Sequence, residues 1–162
     1  MLLPTEHMST ASIVDVEPNH LLLAVDREGA LIWVVRSGDD NYAVFLTGEY
    51  AERGFKIAPQ AGGSGLVVGP VQTRIDPTSL STEGGQWRLR ARDNALAVHF
   101  GADEGGFHQG QWARVAEMKT LPDEPFYFSR WSIGIEVDME WTELVSVSDG
   151  QIQTELTAVA KG

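Results

Sequence analysis

The chain contains no cysteine, which excludes disulfide staples and thiolate metal sites. No apolar run approaches the roughly 18–20 residues that a membrane helix needs, so no membrane partner is expected. Residues 1–7 (Met-Leu-Leu-Pro-Thr-Glu-His) lack the basic start and apolar stretch of a secretory signal, and a cytoplasmic location is the expectation. Lysine is scarce, with three against nine arginines, and the formal charge is −11. Such an acidic chain repels phosphate backbones, which argues against nucleic-acid binding. There is no Gly-x-Ser-x-Gly elbow, and Gly62-Gly63-Ser64-Gly65 lacks the lysine and helix of a phosphate loop. No cofactor is expected, and the reading leans away from an enzyme.

What the chain does have is a rhythm of short apolar runs closed by turn residues. Leu21–Val25 ends in Asp26-Arg27-Glu28-Gly29, Leu31–Val35 in Ser37-Gly38-Asp39-Asp40-Asn41, and Leu144–Val147 is followed by Asp149-Gly150. This rhythm predicts an all-β fold: an antiparallel β-sandwich or partly open β-barrel of about nine or ten strands, with one or two short helices. Residues 1–12 are patternless and read as a flexible N-terminal arm, leaving 13–162 as a single β domain. The 162 residues suffice for one unstapled core. Residues 13–16 are a candidate first strand, and 49–54 a single helical turn.

Two later segments carry more specific expectations. In residues 127–141 the odd positions Trp131, Ile133, Ile135, Val137, Met139 and Trp141 are apolar, while Glu136, Asp138 and Glu140 are acidic. That is a half-buried strand. Extended over fifteen residues it would span roughly 50 Å, so it must bend, and Gly134 is the expected bend. Residues 111–119 place Trp112, Val115, Ala116 and Lys119 on one helical face and predict a short helix ending before Pro122.

The first meander is too apolar for a one-sided sheet. Leu21–Val25 and Leu31–Val35 carry apolar side chains on both faces, as strands covered on both sides do. Three explanations offer themselves: an interface between copies of the chain, cover by a loop such as 77–86, or an internal ligand cavity. Leaving those side chains wet would create a patch of the kind that marks a partner site. The leading expectation is therefore a binding or assembly module that forms a homo-oligomer through the 20–48 meander.

The alternative comes from a hairpin. A two-residue turn at Asp93-Asn94 would pair Arg92 with Ala95, Arg90 with Ala97 and Arg88 with His99. Arg88, Arg90, Arg92 and His99 would then share a face over two small alanines, a platform for a small anionic ligand. His99 is the one candidate acid–base group there. The same side chains would equally serve as partners for Glu136, Asp138 and Glu140 if that strand lay alongside. His99, Asp103, Glu104 and His108 lie within ten residues and are of ligand type, but their spacing fits no defined metal motif and no metal is favoured. Asp39-Asp40-Asn41 and Asp103-Glu104 offer calcium-type oxygens without calcium-loop spacing. Trp112, beside a loop, is the tryptophan best placed for sugar stacking, which makes a carbohydrate-binding module a further alternative.

Overall fold

The computed structural model describes residues 2–25, 29–84, 87–92, 95–100, 111–117 and 124–156. In chain order its strands are β1 (Met8–Ser12), β2 (His20–Ala24), β3 (Ala30–Ser37), β4 (Asp40–Phe45), β5 (Gly54–Lys56), β6 (Ser64–Val68), β7 (Gln72–Ile75), β8 (Leu80–Ser81), β9 (Leu89–Arg92), β10 (Ala95–Phe100), β11 (Gln111–Glu117), β12 (Phe126–Phe128), β13 (Arg130–Val137), β14 (Glu140–Ser148) and β15 (Gln151–Thr154). They form three antiparallel sheets: β1-β6-β2-β3-β4-β5, β11-β10-β9-β12-β8 and β15-β14-β13-β7. The fold is all-β, as the turn rhythm predicts. The described strands number fifteen rather than nine or ten because several are only two to four residues long. No helix among the described residues is long and apolar enough to cross a membrane.

The first sheet is buried on both faces. Alternation sends Leu21, Leu31, Trp33, Val35, Val44 and Val68 to one side, and Leu22, Ile32, Val34, Ala43, Phe45 and Val67 to the other. The cross-strand register lines up the outer row Val67, Leu22, Ile32 and Phe45. Ile13 and Val16, on and just after a 3₁₀ turn at Ile13–Asp15, cover that row, with Ala11, Ile57 and Ala61 packed beside them. Backbone bonds fix the cover: Ile13 N–H donates to Gly63 O at 2.8 Å and Ile57 N–H to Asn41 O at 2.9 Å. Each large side chain so buried contributes about 1.5–3 kcal/mol.

Four expectations change here. The cover is supplied by residues near 13–16 and 57–61, and none of the described residues 77–84 joins it. The 13–16 segment is a 3₁₀ turn rather than a strand. Part of the expected arm is sheet, because Met8–Ser12 pairs with β6 in full register, Met8 opposite Val68 and Ser12 opposite Ser64. The segment 49–54 contains turns closed by Ala51 N–H to Gly48 O and Arg53 N–H to Tyr50 O rather than a helix.

The larger core lies between the first sheet and the other two. Trp33 meets Trp131 with ring centroids 5.8 Å apart, and Trp131 Nε1–H donates to Trp87 O at 2.6 Å. That bond satisfies the one polar atom of a buried indole. The second and third sheets follow one another through two corners. At one, the long 126–141 pattern breaks: β12 joins the second sheet, β13 the third, and Ser129 stands between them. The strand therefore changes sheets at Ser129, not at Gly134. It also ends earlier than its alternation suggests, because Asp138 (φ 49°) and Met139 (φ 66°) take left-handed conformations and reverse the chain into β14.

The other corner, β7 to β8, is tied to the first by a cluster around Asp76. Arg130 Nε donates to Asp76 Oδ2 at 3.1 Å, Asp76 N–H to Arg130 O at 2.9 Å, and Arg130 N–H to Ser79 Oγ at 3.1 Å. Thr78 donates to Asp76 Oδ1 from its backbone N–H at 2.9 Å and its hydroxyl at 2.6 Å. These bonds, with that of Arg130, hold the Asp76 carboxyl below its ordinary pKa.

Residues 111–117 are a strand, which overturns the expected helix. β11 runs beside β10 with a register shift between Leu96 and Ala97, so Val115 bulges out of the ladder. Both Val115 and Ala116 then pack toward the core. The bulge breaks strict alternation, which is why the apolar spacing imitates a helix face.

Candidate functional site

The β9–β10 hairpin has the expected register: Arg92 opposite Ala95 and Arg90 opposite Ala97. Leu89, Ala91, Leu96 and Val98 face the core, and the polar side chains take the other face. The neighbouring strands, however, are β11 and β12. Glu136 and Glu140 belong to the third sheet's hairpin, with Asp138 in its turn, so that acidic face does not lie beside the arginines.

The platform is also filled rather than open. β11 sets Trp112 opposite His99, rings 5.1 Å apart, and the Arg90 guanidinium lies 4.0 Å over the Trp112 ring. Tyr127, opposite Arg90 on β12, has its ring 6.5 Å from that of Trp112. Ala97 is consequently only 6% exposed. Arg88 precedes the strand and donates from Nη1 to Glu83 O at 2.6 Å. Of the expected clamp, then, Arg88 holds a backbone carbonyl, Arg90 is stacked on an aromatic ring, and Arg92 is exposed. Burial, reinforced by the Arg90 charge, pushes the His99 pKa down, so the ring is neutral at pH 7.

Of the metal candidates, His99 alone lies among the described residues; Asp103, Glu104 and His108 lie outside them. Among the described residues no three His, Asp or Glu side chains gather as a metal site would require. Asp40, the central residue of the Asp39-Asp40-Asn41 turn, approaches Lys56 with Oδ2 3.5 Å from Nζ. One face of Trp112, the sugar-stacking candidate, is covered by Arg90.

A different surface has the shape of a site. The outer face of the third sheet carries Arg74 on β7, Ser132 on β13, Ser146 on β14 and Gln153 on β15 in one cross-strand row. A second row runs Gln72, Gly134, Glu143. Two concavities lie over it, of 340 Å³ and 350 Å³. The first is lined by Arg74, Asp76, Arg130, Ser132, Glu143 and Ser146 among others. The second is lined by Glu143, Leu144, Ser146, Gln153, Thr154 and Glu155. Glu143 and Ser146 border both.

A bulge creates this surface. The register shifts between Ile133 and Gly134, so β14 carries one residue more than β13 at that point, and Leu144 and Val145 are both buried. Upstream of the bulge the odd positions turn outward. Trp141, expected on the apolar face, instead lies across Gly134 on the outer face: a Cβ at Gly134 would sit 2.6 Å from the Trp141 ring and collide with Thr142 O. The Arg74 guanidinium stacks 4.2 Å above the same ring. Sequence alternation misses Glu143 and Trp141 because it assumes an unbroken period of two. The visible signal is the adjacent apolar pair Leu144-Val145 in an otherwise alternating strand.

Three antiparallel sheets around two apolar clusters, with a groove on one outer face, define an all-β domain. The chain belongs to the family described as uncharacterised protein y4lG, which matches residues 10–155. No match to a curated protein or to a solved structure was found.

Proposed function

We propose that this domain is a non-enzymatic binding module that holds a small polar ligand in the groove over the third sheet. The observation that carries the reading is the pair of concavities, 340 Å³ and 350 Å³, meeting at Glu143 and Ser146. Each is within the size range of small-molecule sites. The groove lies on strands, which position side chains more rigidly than loops do. Backbone NMR of the labelled protein during titration with a metabolite panel tests the reading. Binders are expected to move resonances of β7, β13, β14 and β15. Binders that move Arg90, Arg92 and His99 instead would transfer the site to the second sheet and restore the anion-platform reading.

One observation favours a second reading, self-association through the first meander. The outer face of that sheet is largely covered by its own chain, but Tyr50 and Phe55 remain 37% and 44% exposed. With Phe45 they form a mutually edge-on aromatic cluster, centroids 5.7–5.8 Å apart, beside a 310 Å³ cavity. Contiguous apolar surface of this kind is the usual mark of an interface. Light scattering is expected to give a multiple of one chain mass, reduced to one chain by Phe55→Ser. A single-chain mass for the unaltered protein counts decisively against it.

A further inference from the structure

We infer that the ligand of the third-sheet groove is a zwitterion of the amino-acid class, its carboxylate on Arg74 and its ammonium on Glu143. The inference rests on the groove being the binding site.

It begins with two charges held apart. Arg74 and Glu143 stand on the strands flanking β13, at the two ends of adjacent cross-strand rows. Neighbouring strands lie about 4.8 Å apart, so two strand spacings separate their backbones by roughly 10 Å. Their side chains are long enough to approach one another, yet neither takes part in an ion pair among the described residues. The reason is local. Trp141 occupies the space left by Gly134, and the guanidinium of Arg74 rests on its ring. That stack fixes the plane of Arg74 while leaving its N–H edge available, since stacking uses the face of a guanidinium and carboxylate binding uses its edge.

Beside the Trp141 ring, two hydroxyls line the floor between the charges. Ser132 faces the groove from the central strand and is 9% exposed. Ser146 stands next to it on β14. Among the described residues neither hydroxyl has a hydrogen-bond partner. A hydroxyl both donates and accepts, so the pair suits either end of a ligand that carries opposite charges. The surroundings decide against a simple anion or a simple cation. An anion on Arg74 would face Glu143 and, further along, Glu155; a cation on Glu143 would face Arg74 and Arg130. A zwitterion satisfies both ends, and each contact is a charge-assisted hydrogen bond. Arg130 is already committed to Asp76 at 3.1 Å, which leaves Arg74 as the carboxylate receptor.

The test is backbone NMR of the whole chain titrated separately with the common α-amino acids, with acetate, with methylamine and with glucose. One or more amino acids are expected to move the resonances of Arg74, Ser132, Glu143 and Ser146, with acetate, methylamine and glucose at least tenfold weaker. Arg74→Gln and Glu143→Gln are each expected to weaken the amino acid about tenfold. Both positions are exposed, so unchanged amide spectra elsewhere will show that the variants are folded. If acetate, methylamine or glucose moves the groove as strongly as any amino acid, the zwitterion is overturned while the groove stands as the site. If amino acids bind but neither variant weakens them, the assignment of Arg74 and Glu143 is overturned. If no probe moves the groove, the inference and the groove reading fail together.

Discussion

His99 shows how a single residue can mislead when read without its neighbours. In sequence it is a candidate acid–base group beside three arginines. In the fold it packs against Trp112, and burial together with Arg90 lowers its pKa. The sign of the consequence follows from linkage. The folded protein binds the proton less tightly than the unfolded chain, whose histidine titrates near 6.5. Stability is therefore unaffected well above that value and falls as pH drops below it, until the folded-state His99 also protonates. His99→Gln is expected to flatten this part of the profile below the unfolded-state value of 6.5, measured as melting temperature against pH. An unchanged slope would mean that His99 does not contribute to it. Arg90 could be placed on the correct strand face from sequence, but its stack on Trp112 could not. That contact depends on β11 being the next strand, a matter of sheet order that alternation does not encode.

At the scale of elements, legibility follows regularity. The hairpin register Arg92–Ala95 and Arg90–Ala97 and the turn at Asp149-Gly150 were readable because two-residue turns fix pairing. The three strands of the first meander were readable because dense apolar runs have few alternative structures. The errors fall where a strand departs from period two. One bulge at Val115 makes β11 look helical, and a second at Leu144 hides Glu143 and Trp141 on what reads as the wrong face. The groove therefore lay outside what alternation could show. The corner around Asp76 is only half visible in sequence: Thr78 lies two residues on, in the 3₁₀ turn Pro77–Ser79, but Arg130 comes from the start of β13. It makes a pH prediction of opposite origin to that of His99. Thr78 and Arg130 hold the Asp76 carboxyl below 3.8, so its contribution is full above the unfolded-state value and lost as pH falls through the folded one. Asp76→Asn is expected to lower the melting temperature at pH 7 and to make progressively less difference as pH falls below 3.8. A pH-independent difference would show that the charge on Asp76 is not what matters.

For the molecule as a whole, the central fact is that one sheet serves two cores. Its inner row packs on the second and third sheets, and its outer row is covered by a short N-terminal segment. The two-faced apolarity of the first meander was readable in sequence; what sequence could not show is that Ile13 and Val16 return to cover its outer row. Removing residues 1–16 deletes both β1 and this cover. The shortened chain is expected to bind an apolar dye and to gain mass in light scattering by exposing Leu22, Ile32 and Val34. A shortened chain that stays monomeric and dye-silent would show that the outer core is held by other segments.

The tryptophans are unevenly placed, and that has an optical consequence. Trp33, Trp87 and Trp131 are buried, while Trp112 and Trp141 are only partly so. The guanidinium on Trp141 belongs to the groove's proposed carboxylate receptor. A ligand that draws Arg74 off that ring alters the indole's surroundings directly. The groove thus contains its own fluorophore, and Trp141→Phe is the control that assigns any change in emission to it.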